Sequence, residues 1–135
     1  MDLSLWDVSN GENFKYMFMI WTYDANKKNM FNCDISKWDV SNGKDFSYMF
    51  KGCANFNQDL SNWNVSNGQY FIGMFYGCTV FESNLNKWNI KNGYAFYEMF
   101  EGCMSGKIDI SKWKLTDKPF DNIQTMCRNS NVDMP

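Results

Sequence analysis

The sequence predicts an α/β solenoid of five units of 25 residues, each with one short parallel strand and one short helix. Three observations predict it. Five of the six tryptophans recur at spacings of 32, 25, 25 and 25 residues, and a pattern of alternating polar and apolar residues surrounds each one. An apolar pattern with helical spacing follows each tryptophan. A fixed period of this length is typical of proteins built from stacked supersecondary units.

The five repeats begin near residues 2, 34, 59, 84 and 109. The first spacing of 32 is 25 plus an insertion of seven residues within 19–32. The fifth repeat lacks the Asn-Gly pair of the others, and stacked repeats need a terminal cap, so residues 114–135 are predicted to be the cap. We expect residues 1–135 to form a single domain.

The strand is predicted from the residues around each tryptophan. Trp38 and Val40 alternate with polar neighbours, as expected for a strand with one buried face. The tryptophans are expected to lie mostly in the core, and an aromatic binding strip is the alternative.

The helix is predicted from Phe46, Met49, Phe50 and Cys53, whose spacing of i, i+3, i+4 and i+7 forms one apolar helical face. The same spacing recurs in the next two repeats. Gly52 and its equivalents are expected to end this helix.

Composition excludes several function classes. The chain has no histidine, so the commonest general base is missing, and we expect neither an enzyme nor a cofactor. The net charge of -2 lacks the basic excess of nucleic-acid-binding proteins. No apolar run approaches the length of a membrane span, and the N-terminus does not resemble a secretion signal. We therefore expect neither nucleic acid nor membrane insertion.

Two segments carry a family resemblance. The stretch Met49-Phe50-Lys51-Gly52-Cys53-Ala54-Asn55-Phe56 resembles the helix end of BspA-type leucine-rich repeats. The opening Asp-Ile-Ser-Lys-Trp-Asp-Val-Ser-Asn, from residue 34, resembles the DUF285-like subclass found in bacterial surface proteins and mycoplasma lipoproteins. The glycine at 43, 68 and 93 stands where that subclass usually carries valine. The resemblance implies a surface protein with an exposed recognition face, while the N-terminus and the odd number of cysteines leave the cytoplasm or a virus particle as alternatives.

The outward positions beside each tryptophan form the predicted binding face. If Trp and Val point inward, the flanking residues point outward, and their charge becomes basic toward the C-terminus. The predicted face comprises Lys37, Asp39, Asn62, Asn64, Lys87, Asn89, Lys91, Lys112 and Lys114. The alternative is an ordinary solvated surface.

The insertion is the predicted binding loop, with Trp21, Tyr23, Lys27 and Lys28 as its candidate contact residues. Insertions in repeat proteins often carry function. The first repeat has ordinary core residues and no adapted end, so its N-terminal end is a second candidate contact surface.

The expected function is therefore a noncatalytic scaffold or protein-recognition module, with a place in a surface layer or particle coat. The partner would be another protein or further copies of the chain, bound through the N-terminal end or the strand face. The alternative is a glycan-binding adhesin module that uses exposed tyrosines such as Tyr48, Tyr70, Tyr76, Tyr94 and Tyr97.

Cysteine and aspartate also recur once in each repeat. We expect Cys53, Cys78 and Cys103 to be buried thiols, with disulfides or a metal site as alternatives. The series of Asp2, Asp34, Asp59, Asn84 and Asp109 is expected to cap turns, with calcium binding as the alternative.

Overall fold

The computed structural model describes residues 1–20 and 30–135, and turns are the commonest local structure among these residues. Among them, one α-helix, α1, spans Phe120–Gln124, and strand-like pairing is confined to isolated parallel bridges. The bridges join Asn13 to Asp45, Asp45 to Tyr70, Tyr70 to Ala95, and Asn84 to Asp109. The predicted α/β solenoid, with a strand and a helix in each unit, is therefore wrong.

The predicted helix at Phe46–Cys53 is replaced by consecutive tight turns. The N–H groups of Met49, Lys51 and Cys53 donate to carbonyls three residues earlier, at 3.2, 3.2 and 2.9 Å. Tyr48, inside this stretch, has a φ of 57°, a left-handed conformation that a right-handed helix does not contain. The equivalent residues Tyr16, Gly73 and Glu98 share this conformation. A left-handed residue in the middle of the segment therefore prevents the helix.

The N–H group of Ser47 donates to the side chain of Asp45, and the remaining N–H groups of this segment bond to the next repeat. Phe46, Tyr48 and Phe50 donate to the carbonyls of Tyr70, Ile72 and Met74 at 2.7–3.0 Å. The corresponding segments of the other repeats make the same type of bond with the repeat that follows. Half of the donors therefore close local turns, and the other half hold neighbouring repeats in register.

The predicted strand around Trp38 is also wrong, because two turns occupy it. Trp38 donates its N–H to Ile35, and Gly43 donates its N–H to Val40. Between them, the side chain of Asp39 accepts the N–H of Ser41 at 3.0 Å. Turns of this kind use up the groups that a strand would offer to a neighbour.

The apolar positions of the repeats nevertheless form the core, as expected. Phe46, Phe50, Phe71 and Phe75 are fully buried. Equivalent phenylalanines stack on each other, with ring centroids 5.5 Å apart for Phe46 and Phe71 and 5.6 Å apart for Phe50 and Phe75. Each of the first four repeats contributes one ring to each column, so the core extends along the series of repeats.

The glycine that follows each Ser-Asn or Lys-Asn pair makes room for a phenylalanine ring. A Cβ at Gly68 would lie 2.4 Å from Cζ of Phe71 and 2.9 Å from the carbonyl oxygen of Val65. Gly43 and Gly93 have the same relation to the phenylalanine three residues later. This close packing explains why the chain has glycine where the resembling subclass usually has valine.

The tryptophans are anchored to the preceding repeat by their indole N–H groups. Trp63 Nε1 donates to the carbonyl of Ile35 at 3.0 Å, and Trp38, Trp88 and Trp113 make the equivalent bond. These four indoles are at most 5% exposed. The expectation that the tryptophans belong mostly to the core is confirmed for these four, whereas Trp6 is 54% exposed.

We predict that Phe75→Ala lowers the free energy of unfolding by about 3 to 5 kcal/mol, since a fully buried ring leaves a cavity. The neighbouring Tyr76 is partly exposed, so Tyr76→Ala should cost about 1 kcal/mol or less. Urea titration of both variants measures the two losses. Equal losses would contradict the packing described above.

We predict that Gly68→Ala lowers the free energy of unfolding by about 1 to 3 kcal/mol, because its new methyl group meets the Phe71 ring. In a Phe71→Ala background the same change should cost clearly less, although the Val65 carbonyl still crowds the new Cβ. A double-mutant cycle by denaturant titration measures this coupling. Strictly additive losses would show that the ring is not the obstacle.

Candidate binding surface

The structure places all nine residues of the predicted binding face on the surface. Lys37 and Asp39 are exposed on either side of buried Trp38, and the same alternation recurs in the later repeats. The alternation survives because turns on both sides of the tryptophan still direct successive side chains to opposite sides. The exposed residues are Lys37, Asp39, Asn62, Asn64, Lys87, Asn89, Lys91, Lys112 and Lys114.

Among residues 1–20 and 30–135, cations away from this face are engaged within the chain. Lys44 pairs with Glu12 at 2.9 Å, and Lys107 pairs with Glu82 at 3.1 Å. Lys15 lies over the ring of Tyr16, and Lys51 lies over those of Tyr48 and Tyr76. Arg128 pairs with Glu98 and Glu101.

The lysines of the binding face differ from these. Within residues 1–20 and 30–135, no carboxylate lies within 4.0 Å of the ammonium groups of Lys37, Lys87, Lys91, Lys112 and Lys114. Hydrogen bonds from Ser36, Ser61 and Ser111 are the main cause of the lowered pKa of Asp34, Asp59 and Asp109, and the charges of Lys37, Lys87 and Lys112 lower it further. The face therefore gathers lysines that form no ion pair among the described residues.

Part of the face forms an open basin of about 590 Å³ between the fourth and fifth repeats. Trp88 and Trp113 lie in its lining with their rings 6.4 Å apart, next to Ile90. The charged residues of the basin are Lys87, Lys91, Lys112, Lys114, Asp117 and Lys118. Five cations thus face one anion.

Lys118 was not among the predicted site residues, and it forms a wall of the basin. In earlier repeats an asparagine bonds to the main chain of the preceding repeat: Asn92 Nδ2, for example, donates to the Ser66 carbonyl at 2.7 Å. The fifth repeat has Asp117 at that position, and Lys118 Nζ donates to the Lys91 carbonyl at 2.8 Å instead. The side chain of Lys118 is only 5% exposed. The loss of the Asn-Gly pair was the available sequence signal for this residue.

The first two repeats carry carboxylates on the same side of the chain. Asp7 and Asp39 each accept the N–H of the serine two residues later. Hydrogen bonds from the Ser9 and Ser41 side chains and amides hold the pKa of these carboxyls below the ordinary value of 3.8. The surface is therefore acidic near the N-terminus and basic near the C-terminus at neutral pH.

The turn-capping role predicted for the acidic series is confirmed. Asp34 accepts the N–H of Ser36, and Asp109 accepts the N–H of Ser111, both at 3.0 Å. Asp2, Asp59 and Asn84 make the same contact with the residue two positions later. In the part of the chain that the structure describes, no three His, Cys, Asp or Glu residues come together as a metal site would require.

The predicted binding loop lies outside the described residues, since Trp21, Tyr23, Lys27 and Lys28 all fall within 21–29. At the predicted N-terminal contact surface, Leu5 is 90% exposed and Trp6 is half exposed. Leu3 and Phe14, in the same repeat, are buried. Met1, Tyr16, Met17 and Ile20 are also exposed, so the first repeat presents several exposed apolar side chains.

The tyrosines of the glycan-binding alternative differ in access. Tyr48 stacks on Tyr16 with ring centroids 5.4 Å apart, and its ring lies where a Cβ at Gly73 would stand. Tyr94 is 63% exposed and meets Tyr70 edge to face. A sugar-stacking surface would therefore have to use Tyr70, Tyr94 and Tyr97 rather than Tyr48.

One known protein family matches most of this chain. A family model described as "Mycoplasma protein of unknown function, DUF285" matches residues 1–113. The chain belongs to this family. The resemblance predicted from the repeats is thereby confirmed. Searches of curated proteins and of solved structures found no match.

The residues matched by the DUF285 model include only part of the basin lining. Trp88 and Lys112 lie within the matched residues, whereas Lys114, Asp117 and Lys118 lie beyond them. The basin is therefore built jointly by a DUF285 repeat and by residues that the family model does not cover. Among the described residues, no helix is long and apolar enough to cross a membrane.

The recurring thiols are buried, as expected. Sγ of Cys78 and Sγ of Cys103 each donate at 3.2 Å to a phenylalanine carbonyl of the preceding repeat. Burial raises the pKa of the Cys78 thiol well above its usual value and that of Cys103 to about 12. Cys53, Cys78 and Cys103 are buried, and Cys33 and Cys127 are partly buried.

We predict that Cys53, Cys78 and Cys103 resist labelling in the native protein. The pKa of Cys78 and Cys103 is raised, so the reactive thiolate stays scarce even in mildly alkaline buffer. Thiol titration at about pH 8, with peptide mapping by mass spectrometry, should label Cys33 fastest, since burial raises the pKa of Cys127 to about 12 as well. All five should react in denaturant, and rapid native labelling of Cys78 would contradict the structure.

Proposed function

We propose that this chain is a noncatalytic recognition module that binds another protein through the face defined above. The observation that carries the proposal is the distribution of cations. Lysines elsewhere in the described residues pair with carboxylates or lie over tyrosine rings, whereas five lysines of the face have no such partner. Repeat proteins commonly bind partners on an extended surface that runs across several repeats.

The polar groups of the interior support a noncatalytic role. The buried indole N–H and thiol groups donate to main-chain carbonyls. For example, Trp88 donates to the carbonyl of Leu60 and Cys78 to that of Phe50. Protonated thiols of raised pKa are poor nucleophiles. These groups serve packing, which leaves the exposed side chains to carry the function.

The family resemblance extends the proposal to location. A recognition module with this face suits a cell surface layer or a particle coat, where it would hold another protein in place. The face spans several repeats, as pocket linings show for Asn62 and Asn64 with Lys87, and for Lys87 with Lys112. A partner segment could therefore lie along it rather than at one point.

We predict that bulk added to the face blocks binding. The chain would be screened against a displayed library of random peptides, and binders would be tested on Asn62→Trp and on Thr116→Trp. Thr116 is an exposed residue of the basin lining, and both changes add bulk without changing charge. Val80→Trp is the matched control, since Val80 is 46% exposed and does not line these hollows. Binding should fall at least about tenfold with the face variants and stay within about twofold with the control.

Two outcomes would overturn the proposal. One is a set of binders that the face variants and the control affect equally. The other is binding to a glycan array that is lost with Tyr94→Ala and Tyr97→Ala while no peptide binds the face, which would favour the adhesin alternative.

A further inference from the structure

We infer that the basin between the fourth and fifth repeats is a site for an extended acidic segment of a partner protein. The inference rests on the proposed function and names the chemistry of the segment that binds. Lys87, Lys91, Lys112 and Lys114 are exposed there, and Lys118 is held in the wall by the Lys91 carbonyl.

Like charges are crowded in this basin. Lys87 and Lys112 occupy equivalent positions in adjacent repeats, next to tryptophans whose ring centroids are 6.4 Å apart. Asp117, the acidic residue of the lining, lies 4.0 Å from Lys118. Among the described residues, no carboxylate lies within 4.0 Å of the other four lysines, and the charges of Lys87 and Lys112 act on Asp59 and Asp109 only as minor contributions to the lowered pKa of those carboxyls. An arriving carboxylate would meet several ammonium groups without an ion-pair partner.

The rest of the molecule favours carboxylates over nucleic acid. Trp88 and Trp113 are 4% and 5% exposed, so they offer no open ring face on which a base could stack. The net charge is -2, and Asp7 and Asp39 lie toward the other end of the same side of the chain. A long polyanion would be repelled there, whereas a short acidic segment confined to the basin would not be.

The type of cation favours carboxylates over a phosphate group. Arginine is the usual residue for planar, bidentate phosphate recognition, and Arg128 is the only arginine of the chain. Arg128 lies outside the basin, paired with Glu98 and Glu101. Lysines spread along an open hollow suit several separate carboxylates better than one compact dianion.

The shape of the basin suits an extended peptide. Its lining carries lysines from two neighbouring repeats, so carboxylates on one side of an extended segment could meet them in turn. Extended peptides place successive side chains on opposite sides. Glutamate at every second position, with a small residue between, is the simplest sequence of this type.

The test uses a fluorescent peptide of about ten residues in which glutamate alternates with alanine, and a counterpart with glutamine in place of glutamate. Fluorescence anisotropy with the full chain should show binding of the glutamate peptide that is at least about tenfold tighter than binding of the glutamine peptide. Binding should weaken as salt is raised, because exposed charges are screened.

Charge-matched variants locate the site. Lys91→Gln with Lys114→Gln removes two basin charges, and neither side chain makes an ion pair that the fold uses. Lys15→Gln with Lys107→Gln removes the same charge elsewhere. The basin variant should bind about tenfold more weakly, as the loss of two exposed charge contacts predicts, and the control should change less than about twofold. Thermal unfolding should confirm that both variants fold.

Several results would overturn the inference. Equal losses in the two variants would show that only net charge matters. If inorganic phosphate or single-stranded DNA displaced the labelled peptide better than unlabelled glutamate peptide does, the inferred ligand class would be wrong. Binding of neutral library peptides that is lost with Thr116→Trp but unchanged with Lys91→Gln and Lys114→Gln would overturn this inference and leave the proposed function standing. Absence of face-dependent binding in both assays would overturn both.

Discussion

The hydrogen bonds that each repeat donates to the main chain of the one before it determine most of this structure. Trp63 donates to the carbonyl of Ile35, Asn67 to that of Ser41, and Cys78 to that of Phe50. A buried carbonyl without a donor is costly, so these side chains cannot be replaced freely. The repeats therefore keep Trp, Asn and Cys at fixed positions even though the described residues contain little regular secondary structure.

The same constraint separates structural residues from functional ones. Tryptophan and cysteine are often candidates for ligand binding or catalysis. Here the polar atoms of the buried tryptophans and cysteines bond to the backbone, and burial raises the pKa of the Cys78 thiol. Positions that alternate with the tryptophans are free of this requirement. They vary from Asp39 to Asn64 and Asn89 and then to Lys114 in successive repeats. The variation concentrates charge at one end of the face.

The basin arises where the repeat pattern breaks. Asp117 replaces the asparagine that would bond to the fourth repeat, and the longer side chain of Lys118 makes that bond from a different position. The bond to the Lys91 carbonyl is thus preserved while an additional cation enters the wall of the hollow. Lys118 thus both bonds the last repeat to the fourth repeat and adds a charge to the proposed site.

The sequence alone predicts which residues are buried and which repeats are adjacent. The 25-residue period aligns equivalent positions, and the burial of Phe46, Phe50 and Cys53 and the exposure of Lys37 follow from the apolar pattern. The DUF285 family could also be recognised from the repeated motif. The backbone conformation could not, because the spacing of Phe46, Met49 and Phe50 fits a helix and a series of turns equally well.

Only the tertiary structure decided between those two conformations. The N–H groups of Phe46, Tyr48 and Phe50 find their acceptors in the next repeat rather than one turn earlier in the same segment. Tyr48 adopts a left-handed conformation there, and the equivalent Gly73 leaves room for its ring. The position of Lys118 against the Lys91 carbonyl was likewise settled by a neighbour 27 residues away. The period and polarity of the sequence determined which groups are buried, whereas contacts between repeats determined how the main chain bonds, because each donor takes the acceptor that packing brings within reach.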